Sequence, residues 1–223
     1  MDWSPILISM RTAGLSIVFT FFMGILAAWM VVRISHPLVK TILDGIFTIP
    51  LVLPPTVAGF FLLYVFGVKR PVGQFLLEYF SVKIAFSWGA TVLAAVVMSF
   101  PLMYRSARGA FEQVDDTLVQ AARTLGMGEW TIFRKVLLAN AVPGVVSGGV
   151  LAFARGLGEF GATAMIAGNI AGKTRTLPMA VYSEVAAGNM EAAYSYVAII
   201  VVIAFLSVFL MNGAMWYSQK KSR

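Results

Sequence analysis

The stretch VQAARTLGMG, residues 119–128, lies near the middle of the chain between two apolar runs that contain no Asp, Glu, Lys or Arg. A helix needs about twenty such residues to cross the roughly 30 Å hydrocarbon core of a bilayer, and both runs approach or exceed that length. The polar stretch between them must therefore leave the membrane. This arrangement predicts a polytopic membrane protein with a surface loop of about thirty residues, 105–135.

The surface loop carries an apolar stripe of its own at helical spacing. Asp115 or Asp116 is a candidate N-cap, and Gly126 and Gly128 favour a turn after the helix. The pattern predicts a helix, a glycine turn and a second helix, with an apolar face for a partner protein or for lipid headgroups. The stripe consists of Val114, Leu118, Ala121, Ala122 and Leu125, at i, i+4, i+7, i+8 and i+11.

The composition excludes a soluble domain. Of 223 residues, 59% are hydrophobic and 12% are charged, and the mean hydropathy is +0.84. The chain has no cysteine and only one histidine, so we expect no disulfide, no metal site and no cofactor. The net charge of +7 comes without interleaved aromatic and basic residues, so we expect contact with anionic lipid and not with nucleic acid.

Five uncharged segments define the predicted fold. We expect an all-α polytopic helix bundle that forms a single domain over residues 1–223, with an external loop at about 156–191. The first segment is longer than the apolar core of a signal peptide and lacks a preceding basic region, so we interpret it as an uncleaved anchor. The spans are predicted at about 12–32, 45–68, 84–104, 136–154 and 192–217.

The distribution of lysine and arginine predicts the orientation of the bundle. Ten of these residues lie on the side of the 105–135 loop and the carboxyl terminus, and six lie on the opposite side. Because basic residues are retained in the cytoplasm, we expect the amino terminus outside and the loop and carboxyl terminus in the cytoplasm.

The stretch from residue 156 to 191 permits several interpretations. Phe160–Gly172 is apolar but only 13 residues long, so it could extend the fourth span outward, re-enter the membrane or cap a pore. Pro178–Ala187 has residues typical of helix ends, with proline near the start and Gly188 just past the end. A sixth span is the alternative.

The spans contain prolines and small residues but no recognisable catalytic motif. HExxH, GxSxG and P-loop patterns are absent, so the chain is not expected to be an enzyme, and energy for any transport must come from a partner. Gly144, Gly148 and Gly149 suit close helix contact, either in a dimer or within the core. Prolines at 50, 54, 55, 101 and 143 either line a polar route or are tolerated among packed helices.

The loop resembles the cytoplasmic loop of the transmembrane subunits of ATP-binding-cassette (ABC) importers. That family has Glu-Ala-Ala, three residues, Gly, nine residues and Ile-x-Leu-Pro. Here Gln120 replaces the glutamate, while Ala121, Ala122 and Gly126 agree and VLLA, residues 136–139, replaces the final motif. The resemblance implies a coupling helix that inserts into a separate cytoplasmic ATPase. The implied coupling residues are Leu118, Gln120, Ala121, Ala122, Arg123, Leu125, Gly126 and Trp130.

Further runs are similar to the molybdate permease subunits of bacterial ABC importers. These runs are IPLVLPPTVAG (49–59), FSW (86–88), SFPL (99–102), LAFARGLGEFGAT (151–163) and TRTLP (174–178). Sulfate and thiosulfate permeases share the GEFGA block, and tungstate is a further alternative to molybdate. The resemblance implies a homodimer in a bacterial inner membrane, two ATPase subunits and an external oxyanion-binding protein. A membrane scaffold that only recruits a partner is the alternative from another class.

A tetrahedral dianion must pass through such a subunit without being held tightly. Arg155 and Glu159 are four residues apart on one helical face and can pair, which would cancel the repulsion between the carboxylate and an anion at an outer gate. A purely structural charge pair is the alternative. The candidate path and gate residues are Pro54, Pro55, Thr56, Ser99, Ser147, Arg155, Glu159 and Thr163.

Overall fold

The computed structural model describes residues 2–221, and in this range the chain forms helices and no strand. This confirms the all-α prediction. The π-helical turn Phe133–Leu137 joins α7 to α8. The helices are α1 (Ser4–Val32), α2 (Pro37–Val52), α3 (Pro55–Phe66), α4 (Pro71–Phe80), α5 (Trp88–Glu112), α6 (Asp116–Thr124), α7 (Glu129–Ile132), α8 (Leu138–Leu157), α9 (Gly161–Ala167), α10 (Leu177–Ala186) and α11 (Met190–Lys221).

Four stretches of helix in the described part of the chain are long and apolar enough to cross a membrane. They are Ser4–Val32, Trp88–Glu112, Glu129–Leu157 and Met190–Leu210. The pair α2 and α3 passes the same test together but is bent by 111°, which gives up to five spans. The prediction of about five transmembrane helices is confirmed.

The predicted second span, 45–68, is not one continuous helix. Leu53 is extended between α2 and α3, with φ −68° and ψ 139°, and α3 begins directly at Pro55. Pro54 and Pro55 have no backbone N–H to donate, and their rings clash with a helix that continues through them. The Pro-Pro pair therefore ends α2 and starts α3 in a new direction.

Several helices extend beyond the predicted boundaries. Helix α1 begins at Ser4, α5 continues to Glu112, and the helix that contains α8 begins at Glu129. The predicted spans were limited to uncharged residues, whereas helices continue past the hydrocarbon into the polar interface. Much of the predicted 105–135 loop is therefore helix, and residues 113–115 and 125–128 form its connections.

Helices α1, α5 and α8 form the centre of the bundle. A Cβ on Gly148 would lie 2.5 Å from the Ser106 Cβ, and one on Gly24 would lie 2.6 Å from the Met103 Cγ. Buried hydroxyls join α1 to α5, with Thr20 and Ser99 oxygens 3.0 Å apart. Small residues thus allow close helix contact, and the glycine face of α8 serves core packing within the chain.

The stretch between α8 and α11 forms two short helices and no further span among the described residues. Helix α9 packs against α3 and α5 through a cluster that contains Ala58, Ala94 and Ile166. Helix α10 packs against α11, and the Leu177 N–H donates to the Ser9 hydroxyl of α1 at 2.7 Å. The prediction of a helix over 178–187 is confirmed, and Gly188 adopts φ +76° just past its end.

Candidate functional site

Helix α6 is defined at both ends by the residues that the sequence indicated. The Asp115 carboxylate accepts from the Thr117 N–H at 2.9 Å, and this hydrogen bond lowers the pKa of Asp115. At the other end Gly126 has φ +73°, a conformation that favours glycine, and the Met127 N–H donates to the Ala122 carbonyl at 3.1 Å. The predicted helix, glycine turn and helix are confirmed.

The predicted stripe does not form one exposed face. Ala122 is buried against the rest of the chain, with 5% of its surface exposed, and Val119 is half-buried. Leu118 and Leu125 are 47% and 80% exposed, and Ala121 between them is exposed as well. Helix α6 is therefore anchored through Val119 and Ala122, while Leu118, Ala121 and, just past the end of the helix, Leu125 remain exposed.

A network of charges and rings holds α6 and α7 against the end of α1. The Arg123 Nε donates to Glu129 at 2.8 Å, and Glu129 also pairs with Arg33 at 3.4 Å. Hydrogen bonding to Glu129 raises the pKa of Arg123. Trp130 packs edge-on against Trp29, with ring centroids 5.8 Å apart. Gln120 is exposed on the same segment.

A second charge network, which the sequence analysis missed, joins α2 to α5. Lys40 pairs with Glu112 at 2.9 Å, Arg108 pairs with Asp44 and Glu112, and the Tyr104 hydroxyl donates to Asp44 at 2.9 Å. The signal was present as polar residues spaced by four, at 40 and 44 on one helix and at 104, 108 and 112 on the other.

The break between α2 and α3 lies against the start of α9. A Cβ on Gly161 would lie 2.8 Å from the Pro55 Cβ and 3.2 Å from the Thr56 nitrogen. Thr163 on the first turns of α9 is buried, whereas Pro54, Pro55 and Thr56 remain exposed. The structure therefore places the candidate gate residues Pro55 and Thr56, which follow Pro54, against Gly161 at the start of α9, while Thr163 is buried further along the same helix.

The predicted pair of Arg155 and Glu159 is present at the end of α8. The Arg155 Nη1 lies 2.6 Å from the Glu159 Oε2, and the Glu159 Oε1 accepts from the Ala162 N–H at 2.8 Å. Glu159 is 2% exposed, so its two oxygens are held by α8 and α9 with little access to water. The carboxylate thus ties the end of one helix to the start of the next.

The two candidate serines lie in different surroundings. Ser99 is 1% exposed, and its hydroxyl lies 2.6 Å from the Ala95 carbonyl and 3.0 Å from the Thr20 hydroxyl. These contacts assign Ser99 to the packing of α1 against α5. Ser147, by contrast, lines a cleft of about 600 Å³ between α5 and α8, as does Pro143.

The prolines within helices also differ. Pro101 in α5 is fully buried, whereas Pro143 in α8 is exposed on the wall of the cleft. Of the two interpretations of the prolines, tolerance within packed helices fits Pro101, and the lining of a polar route fits Pro143.

Comparison with known proteins gives the family. Residues 20–223 match the family described as "Binding-protein-dependent transport system inner membrane component". The chain is 44% identical over 222 residues to the molybdenum transport system permease protein ModB of Escherichia coli K12, covering 99% of this chain and 96% of that one. It is 41% identical over 211 residues to a Bacillus subtilis protein described as a molybdenum transport system permease, covering 94% and 92% of the two chains.

A sulfate transport system permease protein, CysT of Salmonella typhimurium, is 33% identical over 205 residues, covering 92% of this chain and 73% of that one. Among solved structures, one of the MetNI methionine ABC transporter in an inward-facing conformation superimposes with a TM-score of 0.75 at 19% identity, over 97% of both chains. This likeness concerns the fold. Together with the apolar helices, the match shows that the chain belongs to the family of binding-protein-dependent transport system inner membrane components, as a multi-pass transport subunit rather than an enzyme.

Proposed function

We propose that this chain is the membrane-spanning subunit of an ABC importer that carries molybdate inward. The observation that carries the proposal is the 44% identity to a molybdenum transport permease over nearly the full length of both chains. The geometry agrees, because an apolar bundle presents one polar helix, α6, with exposed apolar side chains. Sulfate is the second candidate substrate, favoured by the 33% identity to CysT.

The proposed docking surface consists of Leu118, Ala121 and Leu125 on α6. In this proposal these side chains enter an apolar groove of a separate cytoplasmic ATPase. Burial of a few hundred Å² of apolar surface at about 25 cal/mol/Å² would contribute roughly 5–10 kcal/mol before the costs of association. At about 100° per residue, Gln120 and Arg123 lie on the far side of α6 from these three side chains, and Arg123 pairs with Glu129 at 2.8 Å.

The proposed coupling route follows the long helix from α7 to α8. The stretch Glu129–Leu157 is helical throughout, including its π-helical turn, so it spans about 40 Å at 1.5 Å per residue. Its far end carries Arg155 and is tied to α9 through Glu159. A displacement of α6 and α7 by the ATPase would thus reach the contact between α9 and the Pro54–Thr56 break, which we propose as the outer gate.

The proposed assembly is a homodimer with two ATPase subunits and an external oxyanion-binding protein in a bacterial inner membrane. The glycines of α8 contact α1 and α5 within the chain, so they do not supply the dimer interface. We assign that interface to the α2 face that carries Ile46, Ile49 and Val52, which are 53%, 50% and 80% exposed. The remaining apolar surface would contact lipid.

The proposed orientation places the amino terminus outside and α6 in the cytoplasm. A reporter in the loop at 113–115 or after Arg223 should be active only in the cytoplasm, and a label at Gly172 should react from outside. Arg223, and the side chains of Lys220 and Lys221 used for this assignment, lie outside the described residues. Labelling of Gly172 from the cytoplasm would contradict the topology.

The direct test is transport by the reconstituted complex. The chain would be placed in liposomes with its ATPase and its binding protein, and uptake of labelled molybdate, tungstate and sulfate would be measured with and without ATP. We expect ATP-dependent molybdate uptake that excess sulfate does not suppress. Preferential sulfate uptake would identify sulfate, the second candidate, as the substrate. Absence of any anion uptake would favour a membrane scaffold.

A further inference from the structure

Arg105 lies where two clefts on the proposed cytoplasmic half of the bundle meet. It lines the cleft of about 600 Å³ between α5 and α8, and also a second cleft of about 410 Å³ between α2 and α5. The first cleft carries side-chain hydroxyl and amide groups from Ser106, Asn140 and Ser147, and the second carries Thr48. One cation thus stands between a cleft with small polar groups and a second, mainly apolar cleft, which is lined by Ile49, Val52 and Leu53 and also by the Asp44 carboxylate.

The other charged residues near Arg105 neutralise one another. Lys40 and Arg108 pair with Asp44 and Glu112, two cations with two carboxylates. Arg105 is exposed and makes no hydrogen bond or ion pair within residues 2–221, although it acts on the Asp44 carboxylate through space. After this pairing, one positive charge remains uncompensated at the junction of the clefts.

The acidic residue in the larger cleft lies at its opposite end. Asp115 is beyond the end of α5, and about 10 Å of helical rise separates Arg105 from Glu112 alone. This distance exceeds the Debye length of about 8 Å at physiological ionic strength. The Asp115 carboxylate is also occupied by the Thr117 N–H. The cation and the carboxylate therefore lie at opposite ends of the cleft.

Neutral groups beside the cation complete a site suited to an oxyanion. The Thr48 hydroxyl oxygen is buried and has no hydrogen-bond partner in the described part of the chain. Hydroxyl and amide N–H groups donate to oxygens of a tetrahedral anion, and a single guanidinium attracts the anion without enclosing it. Such a site binds weakly enough to release its ligand, which transport requires.

We infer that the paired clefts at Arg105 form a transient, low-affinity station for the tetrahedral dianion on the cytoplasmic side of the gate. This inference rests on the proposed function. In the proposed homodimer, two copies of the cleft supply two such cations, which matches the charge of the dianion. Arg105 draws the anion away from the gate when the gate closes, and the lack of a second unpaired cation among the described residues of each cleft lets it leave.

The test exploits the absence of cysteine from this chain. In the reconstituted complex, Arg105→Cys should lower molybdate uptake about tenfold, since a charged cleft raises the local concentration of its ligand by at least that factor. The introduced thiol is then treated with a cationic methanethiosulfonate, whose thioalkylammonium group forms a mixed disulfide as methanesulfinate leaves. Uptake should recover with this reagent and stay low with the anionic, sulfonate-bearing reagent.

Three controls separate this role from general effects of charge. Lys83→Cys removes one positive charge from an exposed position on the proposed external side and should leave uptake near the wild-type rate before and after either reagent. The unsubstituted complex shows any effect of the reagents on the other subunits. Arg105→Lys should retain most of the uptake, because it keeps the cation.

Three outcomes would overturn the inference: wild-type uptake by Arg105→Cys, equal responses to the two reagents, or an equal loss in Lys83→Cys. In each case the wild-type complex still transports molybdate and the proposed function stands. Failure of the wild-type complex to transport any oxyanion would instead refute the proposed function itself.

Discussion

Each end of the long helix Glu129–Leu157 is held by a charge pair, but the two pairs differ in their exposure to water. At the α6 end, Arg123 and Glu129 side chains are 53% and 39% exposed, whereas at the α9 end Arg155 and Glu159 are 28% and 1% exposed. Exposed pairs are screened by water and contribute little, but a buried carboxylate that loses its partner is strongly destabilising. The α6 end can therefore shift at a low cost in free energy. At the other end, α8 and α9 must move together.

The largest effect is expected on the apolar face of α6. Leu125→Glu should abolish uptake and the stimulation of ATP hydrolysis while the chain still inserts and keeps its thermal midpoint, because Leu125 is 80% exposed. Ala122→Glu should also abolish uptake but lower the midpoint, since the new carboxylate is buried within the chain itself. Full uptake by Leu125→Glu would refute the docking surface.

The second prediction concerns the buried pair. Glu159→Gln leaves Arg155 uncompensated and should reduce uptake, and Arg155→Gln should reduce it further because the buried carboxylate then lacks its cation. The double variant should recover part of the loss, as expected for two charges that act as one unit. Vesicle uptake and thermal unfolding in detergent would measure this cycle. Additive losses without rescue would show that the residues act separately.

The same cycle on the exposed pair sharpens the comparison. Arg123→Gln and Glu129→Gln should each change the thermal midpoint by less than about 2 °C, and the double variant should show almost no coupling. Coupling as large as that of Arg155 and Glu159 would mean that both ends of the helix are rigid.

The third prediction concerns the contact between α3 and α9. Gly59→Ala should weaken the closed gate, because the added Cβ would lie 2.6 Å from the Ala162 Cα and 2.7 Å from its carbonyl oxygen. Gly45→Ala is the matched control, since its Cβ would have no neighbour within 4 Å. Anion leak measured without ATP should rise only in the first variant. Equal leak in both would remove α9 from the gate.

The smallest effect is expected at the cap of α6. The pKa of Asp115 is lowered by its hydrogen bond to Thr117, so the cap stabilises the folded chain above the ordinary aspartate pKa of about 3.9 and is lost as pH falls through the lower folded value. In the wild-type chain, amide hydrogen exchange in α6 should therefore gain an acid-dependent increase from loss of the cap. Asp115→Asn should remove this increase. An unchanged acid profile in the variant would show that other groups govern the segment.

The sequence by itself determined the membrane class, the number of spans and the helix, glycine turn and helix of the surface segment. These follow from local properties: runs of uncharged residues, an Asp at a helix start and a glycine just after the helix. The pairing of Arg155 with Glu159 was also accessible, because residues four apart on a helix share a face.

Only the tertiary structure decided which apolar residues of α6 are free and which helices meet. Ala122 and Leu125 belong to one stripe in the sequence, but packing of the helix against the bundle buries the first and exposes the second. Nothing in the sequence singles out Arg105 as a binding residue. Its proposed role depends on clefts formed with residues about sixty positions before it and thirty-five or more after it. Helical periodicity sets the direction of a side chain on its own helix, whereas its neighbours are set by the packing of distant segments.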